Sequence, residues 1–529
     1  MNPRLTVVAG REPATRRLAR ATVLVMAATL ASTLLGFTRE VVTARYFGAS
    51  WQLDVFLSAS AMTTILFGVF NGALTSALVP IFSDYLATGR EREGWRLAST
   101  LIIAVTMMLA VLAAAGWYFA PIYVPLFARF PAERMSTVIA MTRWLMPTIF
   151  ATSLAGIVAS MLNAHQRFFA SALQGVAANI IVILAISLGF SQYGVYALVF
   201  GSVLGLFAQL LVQLPAFFGL CRFGPVLDLR HPGLYRVLAM LGPIAIGSAA
   251  GQLALFFDRY FASGLAEGSI AGMNYAVKIV GFPQQVFVAA IATVIFPVFA
   301  SQFATHNRVA MRRSISTGLR MVIFLALPSA LGLIALSEPI VRALFERGAF
   351  GPEATALCTS LLPFAAASLV ALAANVVLTR CTFACGEVRQ PIAVAVLTVL
   401  VNIALSILWL PALGARGLLL ANAVSQTLQM IALSTIVWRL LGGFALLTIV
   451  QSFLKVLGCS AIMYSALMLV QIFERPQTTS FGHAFALGEH LLLGAVIFLG
   501  LARMVDSEEL HLAFDLLVRR APRELVPLP

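Results

Sequence analysis

Along this 529-residue chain, apolar stretches of 18 or more residues alternate with short polar breaks from end to end. A helix needs about 20 apolar residues to cross roughly 30 Å of hydrocarbon, so each stretch predicts one spanning helix. Breaks written in Arg, Pro and Gly divide the chain into about fourteen spans, at 21–46, 53–84, 97–120, 137–163, 168–190, 193–219, 236–262, 270–302, 315–337, 356–384, 390–411, 415–440, 444–472 and 485–504. The connections are short and leave no soluble domain. The fold class expected is all-α, a polytopic membrane protein.

Composition agrees. The chain is 60% hydrophobic and 11% charged, with mean hydropathy +0.94, where a soluble domain is about 45–50% apolar and 25% charged. The net charge of +14 would suit nucleic acid only on a continuous basic face, and here the arginines sit in short segments between apolar runs. That placement reports orientation instead. With the N-terminus inside, the inner segments collect roughly twenty arginines, among them Arg16, Arg17, Arg90, Arg92, Arg236, Arg308, Arg312 and Arg519. The outer segments hold six, Arg129, Arg134, Arg342, Arg347, Arg416 and Arg475. Both termini are therefore expected in the cytoplasm. The opening RRLARATVLVMAATLAS has the layout of a secretory signal, but cleavage would strand Arg39 on a new N-terminus, so residues from about 21 are read as the first span. Of the cysteines, Cys381 and Cys385 share a helical face, and with no CxxC pair or His cluster they read as small apolar fillers.

The chain also repeats itself. TARYFGAS at 43–50 and FDRYFASG at 257–264 write Arg-Tyr-Phe twice, roughly 214 residues apart, and about 35 residues later come Pro80 in LVPIFSDY and Pro297 in IFPVFASQ. The arginines end spans one and seven; the prolines end spans two and eight. Two parallel six-helix lobes are predicted, both starting on the cytoplasmic side. The expected division is a cytoplasmic segment 1–20, an N-lobe 21–219, a C-lobe 236–440, two C-terminal helices within 444–504 and a cytoplasmic tail 505–529. Paired lobes are a transporter architecture, with the substrate held between them and rocking as the working motion.

An ionised side chain at mid-membrane costs ~2.5–3.5 kcal/mol by insertion scales, so each should face a polar cavity or a partner. The first lobe offers Arg39, Glu40, Arg45 and Asp54, the second Asp258, Arg259 and Lys278, with Arg143, Arg380, Glu387 and Lys455 as outliers. Neighbours on a helix point about 100° apart, so Arg39–Glu40 and Asp258–Arg259 are not expected to pair directly. Arg45 and Arg259 have two readings, snorkelling that fixes helix depth or substrate contact. Arg39 and Lys278 lie nearer the middle of their spans. Both facing a cleft, with no acid paired to each, they suit an anion such as phosphate or pyrophosphate. Gly36, Gly68 and Gly72 allow close approach or a bend. Asn71, Asn179, Gln209, Gln213, Asn274, Asn375 and Asn402 either line a cavity or hold helices together.

The stretch LLGFTREVVTARYFGAS, followed by Asp54-Val55-Phe56 and NGALTSALVPIFSDY, resembles the opening of the MurJ/MviN family. MLNAHQRF at 161–168, YAVKIVGFPQQVF at 275–287, LFERGAFGPEAT at 344–355 and TFACGEVRQP at 382–391 continue the resemblance, which covers about 20 to 440. It implies the fold of the MOP exporter superfamily, with two extra C-terminal helices forming a lipid-facing groove. It also implies flipping of an undecaprenyl-pyrophosphate-linked saccharide, lipid II in the best-known case, to the outer leaflet. Arg39 matches a cavity arginine of helix one, Asp54 matches the acidic residue of helix two, and Lys278 stands where the family has an arginine in helix eight. Lysine keeps the charge but loses the planar fork. Thr33 stands at the family's earlier helix-one arginine, Leu66 at its helix-two arginine, and Asn71 at the acidic residue before Gly-Ala. Part of the cationic cluster is thus missing, which leaves open whether the saccharide is lipid II or an exopolysaccharide repeat unit. The family's sodium site, where present, has acids in helices seven and eleven, and the nearest matches are Asp258 and Glu387.

The mechanism expected is alternating access. The pyrophosphate lies against Arg39 and Lys278, with Asp54, Arg45 and Arg259 in the same substrate set, while the polyprenyl tail stays in membrane lipid along the last two spans. No catalytic residue, metal or nucleic acid is assigned, and a monomer is expected. No GxxxxGK[ST] motif occurs, so the drive must come from Na+ or another gradient, product consumption or the membrane potential, where one charge across 100 mV is worth ~2.3 kcal/mol. Two rivals remain. A multidrug or metabolite antiporter of the same superfamily would want an acidic cleft, and a polyprenyl-linked glycosyltransferase would want a sizeable outer loop bearing acids or His.

Overall fold

The computed structural model describes residues 14–220, 224–305, 307–473 and 479–512, and among them helix is the only regular secondary structure. The helices in order are α1 (Ala14–Phe47), α2 (Trp51–Ala87), α3 (Glu91–Phe127), α4 (Ala132–Leu145), α5 (Thr148–Ala164), α6 (Phe168–Ala172), α7 (Gln174–Tyr193), α8 (Val195–Leu211) and α9 (Leu214–Phe218). They continue with α10 (Pro232–Ala262), α11 (Ser269–Ala304), α12 (Arg308–Ala335), α13 (Ser337–Phe345), α14 (Pro352–Ala366), α15 (Leu369–Ala384), α16 (Arg389–Leu413), α17 (Ala415–Leu441), α18 (Leu446–Phe473) and α19 (Ser480–Met504). The chain is a multi-pass helical membrane protein. By length and apolarity eleven spans qualify among the described residues, twelve when α2, bent after Ile65, counts as one. The criterion therefore stops short of fourteen. Helices α10 and α11, 31 and 36 residues long, stand at the positions predicted for spans seven and eight.

The repeat is visible in the backbone. Gly194, between α7 and α8, has φ 53° and ψ −129°; Gly414, between α16 and α17, has φ 56° and ψ −132°. The turn before each hairpin matches as well. After α5, Gln166 has φ 59° and the Arg167 N–H returns to the Leu162 carbonyl; after α15, Gly386 has φ 76° and the Glu387 N–H returns to the Thr382 carbonyl. Both are left-handed helix ends, a place where glycine carries no Cβ penalty. Predicted spans four and ten are each broken into two helices, the first break at Pro147, which has no N–H to continue the ladder.

Contacts group the chain into two compact units that interleave in sequence. One holds 1–43, 62–123 and 139–248, the other 44–61, 124–138 and 249–529, so segments 44–61 and 124–138 belong by their contacts to the second unit. The core of the first unit includes Trp95, which stands edge-on to Phe82 at 5.6 Å and to Phe217 at 5.7 Å. Asn179 on α7 donates to the Ser32 carbonyl of α1 at 3.2 Å, so it holds helices together. In the second unit Asn375 does the same, donating to the backbone and side-chain oxygens of Gln426.

Hairpin α7–α8 shows how such helices cohere. Lipid offers no hydrophobic drive between apolar helices, so close backbone approach must supply the contact. Gly201 and Gly205 permit it: a Cβ on Gly201 would lie 2.7 Å from the Ala185 Cβ, and one on Gly205 would lie 2.9 Å from the Ala178 carbonyl oxygen. Gly205→Leu is therefore expected to destabilise the protein by about 1–3 kcal/mol through overpacking. Thermal unfolding in detergent checks this, and an unchanged midpoint would contradict the close-packing account.

Candidate functional site

The N-termini of α2 and α11 cap each other. A helix start leaves its first N–H groups unsatisfied and carries about half a positive charge. Asp54, in the first turn of α2, accepts the Gly268 N–H on Oδ2 and the Ala271 N–H on Oδ1, both at 2.7 Å. Glu267, two residues before α11, accepts the Trp51 N–H on Oε1 at 3.2 Å. Its other oxygen binds Arg134 at 2.9 Å, whose guanidinium lies 5.2 Å from the centre of the Trp51 ring. Each helix start is thus neutralised by the other's carboxylate. Asp54 is 4% exposed, so water does not compete for it.

Three left-handed glycines let the backbones close around this pair. Gly48, Gly268 and Gly348 have φ of 58°, 81° and 63°, and a Cβ on them would strike the carbonyls of Ala349, Ala49 and Arg45 respectively. The Ala349 N–H donates to the Arg45 carbonyl at 2.8 Å. The Tyr275 hydroxyl donates to the Gly48 carbonyl at 3.1 Å, with its ring packed on Phe345 and Phe350. Arg129 adds a third strap: its N–H donates to the Ser263 hydroxyl and its Nε to the Tyr260 hydroxyl, both at 2.8 Å. All of these ties lie within the second unit, joining 44–61 and 124–138 to 259–275 and 345–350.

Several expected site residues take other roles. Asp54, expected among the substrate contacts, is a buried cap with both oxygens occupied. Arg45 points an exposed side chain from the last turn of α1, and its carbonyl makes the contact just described. Arg259 staples the α10–α11 hairpin, donating to the Ile270 carbonyl and the Asn274 side chain at 3.3 Å each. It also lines a cavity of about 190 Å³ with Asp258, Asn274, Gln284, Ser368 and Asn422. Asp258 accepts from Asn402 at 3.3 Å. Glu387 instead accepts the Gln390 N–H at the start of α16. Asn402 is thirteen residues into that helix, about 20 Å away at 1.5 Å per residue. Asp258 and Glu387 therefore do not share one ion. Among the described residues, no group of three His, Cys, Asp or Glu side chains could hold a metal.

Of the two central cations, Arg39 differs from expectation. Arg39, in the first unit, does pair with its neighbour Glu40, Nη2 to Oε1 at 2.7 Å. Two long side chains bend across the 100° offset that separates their Cβ atoms. Glu40 takes Nη2, the nitrogen common to the Nε–Nη2 and Nη1–Nη2 edges of the guanidinium. Lys278, in the second unit, is exposed on α11 beside Val277, which lines the cavity. Sequence reasoning missed Glu267 and the glycine contacts. The signal available was that ASGLAEGS and GASWQLD both place an acid near a helix start after the repeated phrase.

The family model for the lipid II flippase MurJ matches residues 43–487. The chain belongs to the MurJ lipid II flippase family. Family members from Rhizobium meliloti and Rhizobium tropici, both named probable lipid II flippase MurJ, are 31% and 30% identical, each match covering 78% of this chain and 79% of the relative. The lipid II flippase MurJ of Burkholderia cenocepacia is 28% identical over 79% of this chain and 83% of its own. Among solved structures, a lipid II flippase MurJ in an inward closed conformation has TM-score 0.76 at 23% identity, covering 91% of this chain and 98% of that one. An inward-facing multidrug resistance MATE transporter of the MOP superfamily follows the same fold, with TM-score 0.62 at 15% identity over 84% of this chain and 98% of its own. Two of the neutral residues at the positions singled out in the sequence are described. The Thr33 hydroxyl donates to the Thr29 carbonyl of its own helix at 3.0 Å. Asn71 faces α5, where a Cβ on Gly156 would lie 2.9 Å from its Oδ1. The side chain of Leu66 lies outside the described residues.

Asp54→Ala would leave the Gly268 and Ala271 N–H groups bare, at a cost of about 2 kcal/mol. Asp54→Asn keeps an acceptor oxygen but not the charge, and is expected to cost about half as much. Thermal unfolding of both variants in detergent reads the difference, and identical midpoints for parent and Asp54→Ala would contradict the capping role.

Proposed function

We propose that this protein flips a polyprenyl-pyrophosphate-linked saccharide across the bacterial cytoplasmic membrane by alternating access. The family match over residues 43–487 carries this reading. Lipid II, named in the relatives, is the first substrate to consider. The neutral Thr33 and Asn71, at positions where the family resemblance implies charge, favour a different lipid-linked saccharide, such as an exopolysaccharide repeat unit, as the second. The protein transports rather than catalyses, works as a monomer, and keeps both termini in the cytoplasm, in line with its arginine bias.

The mutual cap of α2 and α11 is the closed state of one side. Opening separates Asp54 from α11 and Glu267 from α2, and water then satisfies the freed groups. Because water replaces each bond, the net cost is about 1 kcal/mol per hydrogen bond and somewhat more for the charged ones. The membrane potential works on the same scale, and it or Na+ is the proposed drive. Arg39 is the cation that receives the diphosphate. Glu40 fixes the orientation of the Arg39 guanidinium through Nη2, and the donors it does not use, on Nε and Nη1, are those assigned to the phosphate oxygens.

Complementation of a MurJ-depleted bacterium, with lipid II translocation measured in the same cells, tests this. The parent protein is expected to restore growth, and Arg39→Ala to lower translocation at least tenfold at equal membrane abundance. Arg39→Lys, which keeps charge without the fork, should fall between them. Absence of rescue by well-expressed parent protein would remove lipid II as substrate. Equal rates for parent and Arg39→Ala would remove Arg39 from the site.

A further inference from the structure

Helices α12, α18 and α19, with Pro283 of α11 and Ile340 of α13, line an open apolar chamber of about 400 Å³. Gly332 and Gly494 bring no side chain to its wall, and leucines, prolines and phenylalanines supply most of the rest. At one end the chamber stops. Phe324 of α12 and Phe498 of α19 meet there with ring centroids 5.2 Å apart. Beyond Phe498, the void beside Cys459, Ala502 and Val505 is only about 10 Å³, at or below the space one water needs.

Just past this stop lies a buried polar cluster that neither the capping site nor the proposed substrate contacts use. Glu509, in the segment after α19, is 5% exposed. Its Oε1 accepts from Arg320 Nε at 2.6 Å and from the Ser452 hydroxyl at 2.8 Å, and its Oε2 accepts from the Ser507 hydroxyl at 2.6 Å. Arg320 also donates to Glu508 at 2.8 Å. Burial by itself would raise the Glu509 carboxyl's pKa. Hydrogen bonds from Ser507, its own backbone and Ser452, with the Arg320 charge, outweigh that and hold it below the ordinary glutamate range. Three elements are therefore tied at one point: α12 through Arg320, α18 through Ser452 and the end of α19 through Ser507. Arg320 is one helical turn from Phe324 and Ser507 is nine residues from Phe498, so the tie bears on both rings of the stop.

We propose that Arg320, Glu509 and Ser452 form a clasp that holds the Phe324–Phe498 stop shut and so limits how far one apolar lipid chain enters the chamber. They are positioning residues acting through the two rings. The lipid-chain part rests on the flippase reading above, while the clasp itself does not. A chain seated between α12 and α19 would find apolar wall along the chamber and no passage past Phe498. Breaking the clasp lets α19 swing away from α12 and opens the floor toward Cys459, which is 6% exposed when the clasp is intact.

Cys459 is the reporter. In full-length protein with Cys221, Cys358, Cys381 and Cys385 replaced by Ala, the rate of Cys459 alkylation by N-ethylmaleimide in membranes measures the floor. Arg320→Ala or Glu509→Ala is expected to raise it at least tenfold, and the milder Ser452→Ala two- to fivefold. The charge-swapped Arg320→Glu/Glu509→Arg should return it to within threefold of the parent, which general loosening of the bundle would not do. Equal rates in parent and Ser452→Ala and in either alanine variant of the ion pair overturn the clasp. A second arm adds undecaprenyl phosphate. It should slow labelling of Leu333→Cys inside the chamber at least fivefold in the parent, and should protect Cys459 only when the clasp is broken. Failure to protect Leu333→Cys would remove the lipid chain from the chamber, while the alkylation rates decide the clasp independently.

Discussion

Two helix N-termini facing one another would repel, and their first N–H groups would be bare. Asp54 and Glu267 turn that arrangement into an attachment by crossing over, each carboxylate capping the other helix. Around this exchange everything else is local necessity. Three glycines must adopt left-handed φ so that carbonyls can approach, Tyr275 must be buried to reach Gly48, and Arg134 must neutralise the free oxygen of Glu267. A mutual cap is well suited to a reversible contact. Its hydrogen bonds are strong when water is excluded, yet each group released can be satisfied by water at little net cost. Apolar packing of the same area would have no such polar exit.

This chemistry accounts for the acids near the repeated phrase better than substrate binding does. A carboxylate in an apolar bundle must have its lone pairs filled, and backbone N–H groups at a helix start fill them without adding an opposite charge. Arg259 follows the same logic in reverse, spending its donors on the Ile270 carbonyl and Asn274. Arg39 is oriented by its neighbour Glu40, and Lys278 is exposed on α11.

Much of the fold could be read in the sequence because hydropathy and helix length are set by the same membrane thickness. The phrases at Arg45 and Arg259 correctly marked the last turns of α1 and α10, and the repeat reappears in the near-identical angles of Gly194 and Gly414. The site was legible only in part. Asp54 was singled out as a costly acid, but its partners are backbone N–H groups, which leave no trace in residue type. The Arg39–Glu40 pair was discounted on Cβ directions alone, which ignores the reach of long side chains. Glu387 stands with Asp258 only through the family resemblance, and α16 puts their surroundings a helix length apart. The clasp at Glu509 was invisible, because a short acidic segment after the final span looks like any solvated tail.

The most direct test of the gate is to lock covalently the neighbouring Arg129 strap, which joins segment 124–138 to the same α10–α11 turn that carries Glu267. A Cβ on Gly264 would lie 3.8 Å from that of Arg129, the usual separation in a disulfide. Arg129→Cys/Gly264→Cys, in a background without other cysteines, should cross-link under mild oxidation and tie segment 124–138 to the α10–α11 turn. Translocation should then fall at least tenfold and return when a reductant is added. A fully cross-linked protein that translocates at the reduced protein's rate would mean that this contact does not open during transport, and the gating account would fail.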